Sequence, residues 1–238
     1  MDGSDTEVKQ NRSDRTALAY DRLRALIVMG QLAPGSRIIE SEIAKRLGVS
    51  RTPVRSALQR LQQEGFIVPA GDGERSRSAV APLTRDDARE LFEVVGALEG
   101  LAAARTARLP QSERQVVLEK LEAANQALED LHQEGSPGRG GYYDLDRAFH
   151  QVYVDAGAGG RVSSLHESIK PQAERYIRLY VSVLTGEVQT SVSEHRKIIE
   201  AIRRGASDPA REAVFENWRN AALRLNRVID SMGERGSW

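Results

Sequence analysis

Residues 48–67 read GVSRTPVRSALQRLQQEGFI, a polar, basic turn set directly before an amphipathic helix. Ser50 is a good N-cap, and Pro53 fits the first helical turn, where a missing N–H costs nothing. The helix is therefore expected to start at Arg51 or Thr52. Val54, Ala57, Leu58 and Leu61 recur at spacings of three and four and form one apolar face, while Arg51, Thr52, Arg55 and Gln59 fall mostly on the other. Between Lys45 and Gln63 there are five basic residues (Lys45, Arg46, Arg51, Arg55, Arg60) and no acidic one, a balance that favours a polyanion. Upstream, Glu40 to Leu47 carries Ile43, Ala44 and Leu47 and ends at Gly48, a natural C-cap. Helix, glycine turn, helix with a basic N-terminus is the helix-turn-helix plan, whose second helix presents its first residues to base edges. The competing reading is a solvated basic hairpin. It sits poorly with a chain whose Lys+Arg and Asp+Glu totals are both 34.

Working outward, residues 66–69 and 77–82 read as two short strands joined by the polar tip 71–75, a hairpin after the basic helix. Residues 1–13 are polar and are expected to form a disordered tail. The small DNA-binding domain spans 14–83, with its break near Pro82 to Thr84. Residues 1–80 hold 13 Lys or Arg against 10 Asp or Glu, and the remainder 21 against 24, so the positive end is the helix-turn-helix end. The length of 238 residues allows two domains with cores of their own. With no cysteine, a disulfide framework, a cysteine zinc site and a cysteine nucleophile are all excluded. The sequence lacks an apolar run of transmembrane length and a hydrophobic block near its N-terminus, so a cytoplasmic protein without a membrane partner is expected.

After Thr84 no segment resembles a strand. Thr84-Arg-Asp-Asp is a helix start with acids in the first turn. Apolar periodicity then predicts helices over 85–108, 111–134, 141–156, 161–185, 190–204 and 208–230, with breaks at Leu109-Pro110, 135–141, 157–160, Gly186 and 205–209. The expected fold class is mainly α: a winged helix-turn-helix followed by an antiparallel helical bundle over 84–234, whose core could house a ligand. Four histidines occur in the chain. Asp146 and His150 are four apart on one predicted helix, so a carboxylate and an imidazole share a face. His195 lies in the next helix but one, beside the inward-facing Ile198, Ile199 and Ile202. Spacing alone leaves both a structural and a metal-binding reading of the three residues.

Leu32-Ala-Pro-Gly-Ser36, Ile43-Ala44, Gly48-Val-Ser-Arg-Thr-Pro-Val-Arg55, Leu61 and Glu64-Gly65 together resemble the winged helix-turn-helix of GntR-family bacterial transcription regulators over about residues 17–84. The resemblance implies that Ser50, Arg51, Thr52 and Arg55 contact operator bases and phosphates. Which arginine reads a base and which holds a phosphate is not legible. The resemblance also makes the wing residues Arg77 and Ser78 candidate DNA contacts, although the family usually has Arg-Gly there and serine tolerates positive φ less well than glycine. Asp146-Arg-Ala-Phe-His150, then Glu194-His195 with Ala201-Ile202 and a final long helix, resemble the FCD effector domain of the FadR-like branch. That resemblance implies a divalent metal ion (Zn, Mn, Ni or similar) held by Asp146, His150, His195 and a fourth residue, helping to bind a small organic acid. The fourth position falls on Asn217, three residues after Val214 and four before Ala221, hence on the inward face. An amide oxygen is a weaker and harder ligand than imidazole and shifts preference from zinc towards six-coordinate ions. Many relatives carry an effector-gripping arginine near Val95. Arg175, Tyr176 and Arg178 are the candidate substitutes here.

The leading expectation is a homodimeric, ligand-responsive repressor that binds a near-palindromic operator. Two alternatives are a metal-dependent enzyme acting on a small acid, with His166 as its only evident base, and a constitutive DNA-binding protein with a structural bundle.

Overall fold

The computed structural model describes residues 4–70, 77–133, 141–184 and 188–236. The expected hairpin tip and the breaks at 135–140 and Gly186 lie outside them. Two compact units emerge, one running to Thr84 and rejoined by the stretch after Gly233, the other Arg85–Gly233. Among the described residues, no helix is long and apolar enough to cross a membrane.

The first unit contains α1 (Ser4–Val28), β1 (Arg37–Ile38), α2 (Glu40–Leu47), α3 (Arg51–Gln63), β2 (Ile67–Ala70) and β3 (Arg77–Val80). The apolar faces read from the sequence are the buried ones: Ile43, Ala44 and Leu47 on α2, and Val54, Ala57, Leu58 and Leu61 on α3. Gly48 ends α2 in the left-handed region at φ 67°, where a side chain would be strained. Ser50 holds the N-cap position in an extended conformation, yet makes no capping hydrogen bond. The strands form an antiparallel sheet in the order β1-β3-β2, with Ala79 opposite Arg37 and Val68. β1 was not foreseen, because two residues carry no alternation to read. Helix α1 begins at Ser4, within the segment expected to be a disordered tail. Once a helix is nucleated each further residue adds one hydrogen bond, so polar composition does not by itself stop it.

Tyr20 ties α1 to the end of α3. Its hydroxyl donates to Glu64 Oε2 at 2.6 Å, while Arg60 lies 3.7 Å from its ring centroid and donates to Glu64 Oε1 at 2.9 Å. Leu83 and Arg235 exchange both backbone hydrogen bonds, at 2.8 and 3.1 Å, so the C-terminal stretch is part of this unit.

The second unit contains α4 (Arg85–Ala107), α5 (Gln111–Gln133), α6 (Gly141–Gly157), α7 (Gly160–Leu184), α8 (Val188–Arg203) and α9 (Ser207–Met232). Helix α4 packs against α6, α7, α8 and α9 and is the axis of the bundle. It can serve so many neighbours because its inward face is largely small: Gly96, Gly100, Ala102, Ala103, Ala104 and Ala107 are buried. A Cβ added at Gly96 would meet the Trp218 side chain at 2.9 Å, so glycine there is what lets α9 bring its indole against α4.

The Tyr20 hydroxyl is pushed up to about 12, first by burial and then by its hydrogen bond to Glu64. A folded pKa above the unfolded value of about 10 means that the contact stabilises the unit below pH 10 and is lost as pH rises towards 12. Tyr20→Phe should remove a component near pH 12 from the tyrosinate absorbance titration and lower stability by about 1 kcal/mol.

Candidate functional site

Arg51, Thr52 and Arg55 are exposed on α3 and Ser50 is exposed just before it, so four of the six residues expected to meet DNA lie at the start of one helix, opposite its buried face. Ser78 is half-buried in the central strand, paired with Ile38 and Pro69. Arg77 begins that strand, and its side chain lies outside what is described. One neighbour escaped the sequence reading. Arg55 donates from Nε and Nη2 to Glu40 Oε1 and Oε2 at 3.0 and 2.9 Å, and Arg51 Nη2 lies 3.7 Å from Glu40 Oε2. The carboxylate stands fifteen residues before Arg55, just outside the acid-free window, and the turn at Gly48 brings it back. The Arg55 hydrogen bond is the largest cause holding the Glu40 carboxyl below its usual value.

In the bundle, Asp146, His150 and His195 meet as the spacing argument requires, each with a ligand atom within 4.8 Å of the others. His150 Nε2 is 3.9 Å from Asp146 Oδ2, and His195 Nε2 is 3.5 Å from Asp146 Oδ1. The outer nitrogens are anchored. His195 Nδ1 is 3.1 Å from Asn125 Oδ1, and the Asn125 amide is oriented by donating from Nδ2 to the Val192 carbonyl at 3.4 Å. The proton of His195 therefore belongs on Nδ1, which leaves a bare lone pair on Nε2. That nitrogen is buried without a hydrogen-bond partner. Burial holds His195 well below its usual pKa, with His150 and Arg224 adding to the shift, so it is neutral near pH 7. Phe149 stacks on its ring at 3.7 Å between centroids. Burial raises Asp146, against the opposing pull of His150, Lys170 and Arg224. A lone pair facing a carboxylate oxygen across 3.5 Å asks for a proton or a metal cation between them. The donor set, two imidazoles and a carboxylate, fits a divalent ion.

Asn217 donates from Nδ2 to Glu194 Oε2 at 2.8 Å, so the amide oxygen is the atom it can offer a cation. It lines the same small cavity as Asp146 and His150, about 50 Å³, whose walls also include Phe92, Ile177, Trp218 and Arg224. Arg224, on the cavity wall, is held by Glu194 through two hydrogen bonds of 3.0 and 3.1 Å. Arg175, Tyr176 and Arg178 are not among the residues lining this cavity. Arg175 is buried, Tyr176 donates to Asp87 at 2.5 Å, and Arg178 lies over the Tyr143 ring at 4.2 Å. Helix α7 turns Ile177 to the cavity, and at about 100° per residue its neighbours point to other faces.

The residue that sequence reasoning missed altogether is Glu99. Fully buried on α4, it accepts from Lys170 at 2.7 Å, Tyr153 at 2.8 Å and Trp218 at 2.8 Å, and pairs with His150 Nδ1 at 2.7 Å and His166 Nε2 at 2.9 Å. Burial would raise this carboxyl, but Lys170 and His150 hold it well below the usual carboxylate range. A carboxylate behind a histidine fixes the ring and turns Nε2 towards a metal position. The available signal was one glutamate four residues after Val95 on an otherwise apolar face. His166, engaged by Glu99, does not line the cavity as a base.

Residues 90–220 match the FCD domain and residues 16–71 the bacterial regulatory proteins of the gntR family. The chain belongs to the GntR family. An HTH-type transcriptional regulator encoded in an unstable DNA locus of Streptomyces ambofaciens is 30% identical over 225 residues, covering 94% of this chain and 88% of that protein. The Bacillus subtilis regulator YdhC is 27% identical over 212 residues, 89% of this chain and 91% of its own. Among solved structures, E. coli McbR/YncC shares the fold with a TM-score of 0.67 at 18% identity, covering 90% of this chain and 97% of that one. The protein is a DNA-binding transcription regulator of the GntR family, not an enzyme, which removes the enzymatic alternative.

Glu99→Gln should lower the unfolding free energy by about 3–5 kcal/mol, because Lys170 is left buried without its counter-charge. Adding Lys170→Met should recover much of the loss in denaturant titrations. A single variant within 1 kcal/mol of wild type, roughly the worth of one hydrogen bond, would show that the carboxylate does not organise the bundle.

Proposed function

We propose that this GntR-family protein is a cytoplasmic, homodimeric repressor that holds a divalent metal ion at Asp146, His150, His195 and Asn217, senses a small organic acid there, and releases a near-palindromic operator when the acid binds. The observation that carries this reading is the bare, buried Nε2 of His195 facing Asp146 beside His150. When bound, a divalent ion supplies Lewis acidity and positive charge, which attracts a carboxylate. Glu194 orients the Asn217 amide, so the set offers two nitrogens and two oxygens and suits manganese or nickel at least as well as zinc.

The rest of the cavity supports a small acidic ligand. Arg224 provides a cation held end-on by Glu194 through Nη1 and Nη2, and Tyr142 and Ser191 hydroxyls, 3.0 Å apart, add exchangeable donors. A cavity of about 50 Å³ has room for only a few water-sized groups. Any larger effector must move its walls, which belong to α4, α6, α7, α8 and α9. Wall movement is the physical route by which ligand binding changes the spacing of two DNA-binding heads. Linkage then requires operator DNA to change ligand affinity by the same factor.

Chelator-treated protein should gain thermal stability on addition of Mn²⁺, Ni²⁺ or Zn²⁺, by about 2.7 kcal/mol at a hundredfold excess over Kd, and His150→Ala or His195→Ala should abolish the gain. No gain in the wild type with any of the three ions would rule out the metal site. Separately, small carboxylic acids that stabilise the metal-loaded protein should bind more weakly when operator is present. Equal affinity with and without operator would refute ligand-controlled release.

A further inference from the structure

Residues 234–236 follow the last helix of the bundle yet are built into the DNA-binding unit. The chain therefore passes between the units twice, at Thr84–Arg85 and again at Gly233–Glu234. Within the DNA-binding unit the two passages are paired, because Leu83 and Arg235 each donate a backbone N–H to the other's carbonyl. Within the bundle, Arg85 at the start of α4 donates to Asp230 near the end of α9 at 3.1 Å. That ion pair is exposed and contributes little by itself. The backbone pair is the stronger tie, and Leu83 is buried.

The residue after Arg235 is gripped more closely. Gly236 has a φ of 77°, and a Cβ there would run into Gly35 N and lie 2.5 Å from the Pro34 carbonyl carbon. Conformation and space both demand glycine. The turn that Gly236 packs on is tied to the central strand, since Gly35 donates to the Val80 carbonyl and Val80 to the Ser36 carbonyl, each at 2.9 Å. Val80 is the last residue of β3.

Two walls of the metal-site cavity lead to the start of this stretch. Arg224 and Leu225 line the cavity from α9, and the helix runs on for about two turns to Met232. Gly233 then ends it at a φ of 81°, its N–H still donating to the Ile229 carbonyl. Ile177 lines the cavity from α7. Tyr180, three residues on and on the same face, donates its hydroxyl to the Gly233 carbonyl at 3.1 Å. Rigid helices carry a displacement along their length, so movement of either wall arrives at Gly233.

We infer that residues 234–236 are a latch through which α7 and α9 act on the DNA-binding unit, with Gly236 as its seat and Tyr180 as the contact that positions it. The latch rests on the proposed control of DNA binding from the cavity. A unit joined by one passage swivels, whereas two passages bonded to each other restrict it. A pre-organised unit loses less freedom on binding, so operator affinity depends on the latch being seated.

The test is a double-mutant cycle in the full-length protein, read as affinity for a duplex that the wild type selects from a randomised pool. Gly236→Val and a chain ending after Gly233 unseat the latch by different means. Each should weaken binding by about 2- to 30-fold, the range for mutations that modulate coupling, while far-UV circular dichroism stays that of the wild type. Tyr180→Phe should weaken binding by part of that factor, and should add nothing once Gly236 is valine. The inference is overturned if both unseated forms bind the duplex as the wild type does, or if Gly236→Val leaves the effect of Tyr180→Phe undiminished. If the cycle is non-additive as expected while neither Mn²⁺ nor small carboxylic acids alter wild-type operator affinity, the latch stands and ligand-controlled release is what fails.

Discussion

A single carboxylate organises the helical unit. Glu99 projects from the central helix α4 into an interior without water access and accepts or shares protons with His150 and Tyr153 of α6, His166 and Lys170 of α7 and Trp218 of α9. A buried charge with one partner would be a liability, because removing an ion from water costs several kcal/mol even after relaxation. With five partners and Lys170 as counter-charge the carboxylate becomes a clamp. It draws three helices onto α4, and by engaging His150 Nδ1 it turns the opposite nitrogen towards Asp146. The small residues of α4 are the other half of this arrangement, since only a thin helix lets Trp218 and Tyr153 approach closely enough to bond.

Charge is used differently in the two units. In the bundle, Glu99 and Glu194 are buried, fully paired, and orient the side chains around a cavity. In the DNA-binding unit, Glu40 pairs with an arginine that stays exposed. There water screens the interaction and its net worth to stability is small, so its consequence lies in the orientation of the guanidinium. The same residue type thus fixes the walls of a cavity in one place and an exposed arginine in the other.

The sequence was most legible where structure follows local periodicity. The helix limits lie close to those read from apolar spacing, because glycine and proline breaks such as Leu109-Pro110 and 157–160 mark them. Asp146 and His150 could be paired because they are one helical turn apart, and the apolar face of α3 could be drawn before any fold was known. What was hidden depends on residues distant in the chain. Glu99 and His166 are separated by 67 positions, and Glu194 and Arg224 by 30, so no local pattern announces either pair. Glu40 was missed for a smaller reason, since it lies just outside a window chosen for its lack of acids. Arg175, Tyr176 and Arg178 were chosen by residue type on the right helix, but helical rotation gives the cavity Ile177.

The account stands or falls on whether the converging atoms of Asp146, His150 and His195 receive a cation. Crystals grown with manganese and measured for its anomalous scattering test this most directly. The account predicts one strong anomalous peak per chain, bonded to His150 Nε2, His195 Nε2 and an Asp146 oxygen, with the Asn217 amide oxygen turned towards it. A well-ordered bundle with no peak there, and His195 Nε2 satisfied by a protonated Asp146, would contradict it.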